Sequence, residues 1–242
     1  MEENLLFGII LLITSFLYSS IGHGGASGYL ALMALFSYPT FLMKPTALLF
    51  NIFVAGISFL FFKKANHFKW KLFYPFAITS IPFSFLGGLI KIDTSLYKQI
   101  LGIFLLIAVL RILLPIKNGT KHFKHSILLS LLIGAIIGLF SGMIGIGGGI
   151  ILSPIIILLG LGNLKETAAV SALFILVNSI AGLTGLAINS GEVFLQSFYI
   201  LPFVIVGGIL GAIYGSRRFN FKTLNYILTL ILFFAGIKLF LF

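Results

Sequence analysis

The residues best placed to do chemistry in this chain are two short glycine runs. Ile21-Gly22-His23-Gly24-Gly25 precedes one apolar stretch, and Ile144-Gly145-Ile146-Gly147-Gly148 precedes another. A glycine turn lets backbone approach a ligand closely, and a helix opening from it carries unpaired N–H groups in its first turn. Those donors, with the positive end of the helix dipole, favour an anion. Helices beginning near Ala26 and Ile150 are expected to start this way. Two such N-termini facing one cavity can hold an anion without a buried Lys or Arg. The alternative is that the glycines only let helices pack closely, but their recurrence in matching places favours a site.

The side chains available to such a site are few. His23 is the only ionisable group expected at the turns. It either donates a hydrogen bond to a ligand, carries a coupling proton with an ordinary pKa near 6.5, or stays neutral on a backbone carbonyl. Asn51 and Asn178 fall within apolar stretches of opposite halves, where they line the cavity or bond neighbouring helices. Ser27, Ser153 and Ser171 are weaker candidates, because serine often bonds back to its own helix. The expected substrate-binding set is His23, Gly24, Gly25, Ser27, Asn51, Gly147, Gly148, Gly149, Ser171 and Asn178. Arg111 and Lys238 are expected to snorkel to an interface. His122 and His125 flank basic residues with no other ligand types nearby, so no metal is expected, and no cofactor. Cysteine is absent, which excludes disulfides and thiolate chemistry.

The elements that must position these residues follow from composition. Of 242 residues, 60% are hydrophobic and 9% are charged, against about 25% charged in a soluble domain. Mean hydropathy is +1.18. Such a chain lacks the polar surface for water, which excludes a soluble enzyme, a nucleic-acid binder or a disordered tail. Its partners are the lipid bilayer and a small anionic substrate; homo-oligomerisation stays open. The acidic start, Met-Glu-Glu-Asn, argues against a removable signal peptide.

Charge-free intervals organise the chain. Two of them, 4–43 and 125–164, contain 40 residues each. A single helix of that length would run about 60 Å, twice the ~30 Å hydrocarbon core, so each must fold back on itself. The two intervals also open two halves that resemble each other. Lys44-Pro45-Thr46-Ala47 lines up with Lys165-Glu166-Thr167-Ala168, and Pro82 precedes Gly87-Gly88 as Pro202 precedes Gly207-Gly208. Leu110-Arg111-Ile112 matches Ile237-Lys238-Leu239, and four coincidences in order indicate a duplication.

The expected fold is therefore an all-α polytopic membrane protein of two inverted repeats. Each repeat is a re-entrant hairpin, broken at its glycines, followed by three transmembrane helices. The first repeat covers 1–116 with its hairpin at about 5–36, and a basic cytoplasmic linker covers 117–125. The second covers 126–242 with its hairpin at about 126–161. The arm from Ile150 to Leu161 would be only about 18 Å long, too short to span, although two full crossings per hairpin would leave the parity unchanged. An odd number of crossings inverts the second half, a recurring plan of secondary transporters.

Loop charges point the same way. Lys63, Lys64, Lys69 and Lys71 form one cluster, Arg111, Lys117, Lys121 and Lys124 a second, and Arg217, Arg218 and Lys222 a third. The hairpins place all three on one side, cytoplasmic by the positive-inside rule, with both termini outside. Glu2, Glu3, Asp93 and Glu192 then lie outside as well.

The motif Gly138-Leu139-Phe140-Ser141-Gly142-Met143-Ile144-Gly145-Ile146-Gly147-Gly148-Gly149, followed by Ser153-Pro154, resembles the signature of the TauE/SafE sulfite exporter family. Glu166-Thr167-Ala168-Ala169-Val170-Ser171 and Asn178-Ser179 resemble it too. Ser20-Ile21-Gly22-His23-Gly24-Gly25-Ala26-Ser27-Gly28 is similar to a branch in which His interrupts the glycine run. The first half departs from the pattern in carrying His23 and in lacking a proline equivalent to Pro154. The resemblance implies a bacterial or archaeal plasma-membrane transporter of a small anion such as sulfite, a sulfonate or a related sulfur compound. Alternating access is expected, with export favoured, since an inside-negative potential drives anions out by about 2.3 kcal/mol per charge per 100 mV. An anion channel on the same scaffold is the alternative, and an intramembrane enzyme is remote, because deep carboxylates and metal-like clusters are missing.

Overall fold

The computed structural model describes residues 2–113, 126–190, 198–217, 229 and 232–239. Lys117, Lys121, His122, Lys124, His125, Glu192, Arg218 and Lys222 lie outside the described residues, as do the side chains of Glu2, Glu3, Arg111 and Arg217. The described residues are helical, with no strand among them. In chain order they form α1 (Glu2–Ser20), α2 (Ala26–Leu35), α3 (Thr40–Lys64), α4 (Trp70–Leu89) and α5 (Thr94–Leu113). Then follow α6 (Ile127–Ile144), α7 (Gly149–Leu158), α8 (Leu164–Ser190) and α9 (Leu201–Arg217), and a last helical stretch over 232–239. Helices α3, α4, α6 and α8 are long and apolar enough to cross a bilayer. Helices α2 and α7 have 10 residues each, about 15 Å against a ~30 Å core, so neither crosses alone.

Each long charge-free interval breaks where its glycines demand it. Gly22 and Gly25 have φ of 76° and 99°, and Gly145, Gly147 and Gly148 have 90°, 79° and 78°. Those left-handed angles end one helix and begin the next with no Cβ penalty. The chain thus passes from α1 into α2 and from α6 into α7 through glycine turns, two broken hairpins, with α7 packed on α8.

Glycine spacing also explains the packing. Along α6, a Cβ on Gly134, Gly138 or Gly142 would run into the carbonyl oxygen of Phe76, Ser80 or Ser84 on α4. Along α9, Gly207, Gly211 and Gly215 meet the carbonyls of Leu12, Phe16 and Ser20 on α1 in the same way. Both ladders step by four residues, the small-residue stripe that lets membrane helices approach backbone to backbone. Helix α4 packs also on α8, and α9 on α3, so α3 and α8 stand centrally against each other.

Helices α3 and α8 run antiparallel. Lys44, near the start of α3, reaches Gly88, which itself lies on Gly182 near the end of α8. Midway, Asn51 contacts Ser179 and Gly56 faces Leu176. Past the end of α3, Lys69 forms an ion pair with Glu166 in the first turn of α8.

Candidate functional site

Helix α3 brings the two turns together. Asn51, fully buried, accepts a hydrogen bond at Oδ1 from the Ala26 N–H, 3.1 Å away in the first turn of α2. Its Nδ2 donates to the Ile146 carbonyl at 3.4 Å and to Ser179 Oγ at 3.3 Å. One amide thus ties the first hairpin to the second and to α8. The space around it is closed: a Cβ on Gly24 would strike Asn51 Oδ1, and one on Gly147 would lie 2.6 Å from Asn51 Nδ2. The same two hypothetical carbons would meet Ile175 Cγ2 at 2.9 and 2.8 Å. Gly24 and Gly147, from opposite halves, therefore flank one asparagine and one isoleucine.

His23 extends this junction. It is 5% exposed; its Nδ1 lies 3.1 Å from the Ile21 carbonyl and its Nε2 lies 3.0 Å from Ser153 Oγ on α7. A carbonyl only accepts, so Nδ1 carries a proton. Ser153 Oγ is also 2.8 Å from Ser171 Oγ on α8 and 2.9 Å from the Gly149 carbonyl. A neutral imidazole accepts at Nε2 from the Ser153 hydroxyl. A protonated one donates to Ser153, whose hydrogen then turns to Gly149.

The sequence-derived candidates divide on this geometry. His23, Gly24, Asn51, Gly147, Gly149 and Ser171 gather at the junction, with Ile175 Cδ1 crowding the Cβ position of Gly149. Gly25 and Gly148 belong to the same turns, but their Cβ directions lead to Tyr29 and to Ile137 and Phe174. Ser27 donates to Tyr18 Oη at 2.8 Å, inside its own hairpin. Asn178 bonds Ser80 through Oδ1 and receives Ser84 Oγ at its carbonyl, so its described contacts are with α4. Its Nδ2 is buried with no partner among the described residues.

Three features go beyond what the sequence leads one to expect. Ser153, a weak candidate by residue type, is the partner of His23. Lys238 Nζ caps the end of α2 through the Leu35 carbonyl at 2.8 Å and Ser37 Oγ at 3.0 Å. Lys44 is 8% exposed beside the second turn, so His23 is not the only ionisable group there. Its place four residues inside an apolar helix, rather than in a loop, was the available signal.

At the end where Lys69 meets Glu166, a cavity of about 750 Å³ is lined by residues that include His67, Lys69, Asn163, Lys165 and Glu166. Asn163 Oδ1 caps α8 by accepting from Lys165 and Glu166, while Glu166 Oε2 accepts from the Asn163 N–H, a reciprocal capping pair. Burial, then the charge of Lys165, holds the His67 pKa below its ordinary 6.5. No group of three or more metal-ligating side chains occurs among the described residues.

Apolar crossing helices and two broken hairpins meeting at a buried polar junction define a polytopic membrane protein of the transporter class. The chain belongs to the TauE/SafE sulfite exporter family, whose model matches residues 6–239. It is 34% identical over 250 residues to "Probable membrane transporter protein y4hK" of Sinorhizobium fredii, covering 98% of each chain. It is 28% identical to "Probable membrane transporter protein MamO" of Magnetospirillum gryphiswaldense, covering 78% of this chain and 37% of that one. With "Probable membrane transporter protein YunE" of Bacillus subtilis it shares 26% identity over 80% of this chain and 78% of the relative. No solved structure matches.

Proposed function

We propose that this protein moves a small anion, such as sulfite, a sulfonate or a related sulfur compound, across a bacterial or archaeal plasma membrane by alternating access. The observation that carries this reading is the convergence of Gly24 and Gly147, from two broken hairpins, on the single side chain of Asn51. The anion site is made of His23, Gly24, Gly25, Ser27, Asn51, Gly147, Gly148, Gly149, Ser171 and Asn178, with the six residues that gather at the junction closest to the anion. An anion oxygen replaces Asn51 Oδ1 at the Ala26 N–H, and the freed amide still donates to the second turn.

The two halves, 1–116 and 126–242, act as inverted repeats with the linker 117–125 and the basic loops in the cytoplasm. The antiparallel run of α3 and α8 supports this, as does the matched pairing of α1 with α9 and of α6 with α4. The buried junction and the cap on Ala26 favour a carrier that closes around its substrate over an open channel. The membrane potential favours export. A thermal-shift and flux screen of purified protein against sulfite, sulfate, thiosulfate, methanesulfonate and acetate tests the reading. Saturable exchange of an oxyanion without single-channel current is expected; flux of none of them would end it.

A further inference from the structure

We propose that Lys44 is a second anion contact on the same path, holding a small oxyanion against the Gly145–Gly148 turn; this rests on the anion-transporter reading above. Lys44 is the fifth residue of α3 and sits among buried neighbours, Met43 and Pro45. Its Nζ donates to the Gly88 carbonyl at 3.3 Å. An ammonium has three donors and a carbonyl takes one of them here. No ion pair to Lys44 occurs among the described residues, so no described carboxylate balances its charge. A buried cation without a counter-ion is costly, and in a membrane protein it marks an ion or substrate path by default.

Position decides what the counter-ion is. A Cβ on Gly145 would lie 3.1 to 3.3 Å from the Lys44 carbonyl oxygen, Cα and Cγ, so the lysine stem rests on the turn that opens α7. Lys44 and Asn51 are seven residues apart, two turns and about 10 Å along one face of α3. Asn51 touches the turn at Ile146 and Gly147, and Lys44 touches it at Gly145. The second turn is thus straddled, with an amide at one end and the lysine stem at the other, the ammonium beyond it reaching Gly88 on α4. An oxyanion passing the junction finds the unmatched N–H groups of Lys44 next.

The competing role is structural, because Gly88 lies in the last turn of α4 and a lysine there caps it, as Lys238 caps α2. Variants separate the two. Affinity for sulfite, sulfate, thiosulfate and methanesulfonate is read by thermal shift on the purified full chain. Lys44→Met is expected to weaken binding of the anion that shifts the parent protein by tenfold or more, with little change in melting temperature without anion. Lys44→Arg should stay within about threefold. The chain has no cysteine, so Lys44→Cys gives a single thiol. Mixed-disulfide formation with 2-aminoethyl methanethiosulfonate, which adds an aminoethylthio group and releases methanesulfinate, should restore affinity, whereas methylthiolation should not; this comparison decides the matter if Lys44→Met fails to fold. Parent-like affinity in Lys44→Met, or equal affinity after both modifications, overturns the role of Lys44 alone. Failure of all four anions to bind the parent protein overturns the transporter reading and this one together.

Discussion

The two glycine turns look alike in sequence and are used differently. The first turns an N–H toward Asn51, from Ala26, and the second turns a carbonyl toward it, from Ile146. The first sends a side chain, His23, across to the other hairpin; the second keeps Ile146 buried in the apolar core. Gly22 rests on Ala168 of α8, whereas Gly145 rests on Lys44 of α3. By the sequence alignment of the halves Ala168 corresponds to Ala47, so the contacts differ by three residues, about one helical turn. On the proposed duplication, two similar motifs form unequal jaws around Asn51. One offers a helix N-terminus and an imidazole, the other a glycine arch beside a lysine.

The comparison breaks entirely if the halves do not enter from opposite faces, so the largest effect is all-or-none. Cysteines introduced singly at Lys64, Lys165 and Asp93, all exposed, should divide two against one toward an impermeant thiol reagent in intact cells. Asp93 should label, and Lys64 and Lys165 should be protected. Labelling of Lys165 with Asp93 would place the two jaws on the same side.

Next in size are substitutions at the jaws. Gly147→Ala must adopt a φ of 79° and push on Asn51 and Ile175. Backbone strain of roughly 1–2 kcal/mol adds to overpacking of about 1–3 kcal/mol. Gly24→Ala meets the same two side chains without a positive φ, so it should lose only the overpacking part. Melting temperatures and flux of the pair test this; equal losses would erase the difference between the jaws. Gly148→Val is a poorer probe, since its side chain would collide with Ile137 and Phe174 rather than enter the junction.

The breaks at Gly22–Gly25 and Gly145–Gly148 were legible in the sequence, because a 40-residue charge-free stretch cannot cross a bilayer once and glycine is where it bends. The identity of the helices that touch was not. Asn51, Gly24 and Gly147 are separated by up to 123 residues, and no local periodicity says that they meet. Asn178 illustrates the gap: it shares α8 with Ser171 and Ser179, yet its described bonds go to Ser80 and Ser84. One helix presents several faces, and which polar residue points at a turn is set by how α4 and α8 pack. Lys44 was visible as a letter but not as a buried charge, for the same reason.

A smaller effect is expected from His23, the feature the second jaw lacks. Loss of one neutral hydrogen bond of about 0.5–1.5 kcal/mol corresponds to roughly two- to tenfold in affinity. His23→Gln keeps a donor and should retain partial binding, while His23→Ala should lose more. If the imidazole carries a proton during transport, His23→Gln should also abolish any pH dependence of flux between about pH 5 and 8. Anion affinity unchanged in His23→Ala would reduce the first jaw to a backbone turn like the second.

The smallest effect is expected where the jaws' exits are pinned. The exit of the first hairpin is held by Lys238 on Leu35 and Ser37; that of the second is held by Lys69 on Glu166. Lys69 is 57% exposed, so its ion pair is heavily screened and Lys69→Ala should cost well under about 1 kcal/mol. The neighbouring His67 gives this end a pH response. Burial and the charge of Lys165 hold its pKa below 6.5 in the folded protein, while the unfolded chain titrates near 6.5. Above that value both states are neutral and stability is undiminished. As pH falls through 6.5 toward the depressed folded value, the unfolded state takes up protons first and stability declines. His67→Gln should remove that part of the decline in melting temperature below about pH 6.5, leaving the Lys238 end untouched. A decline of the same depth in His67→Gln would mean that the two exits respond to acid alike.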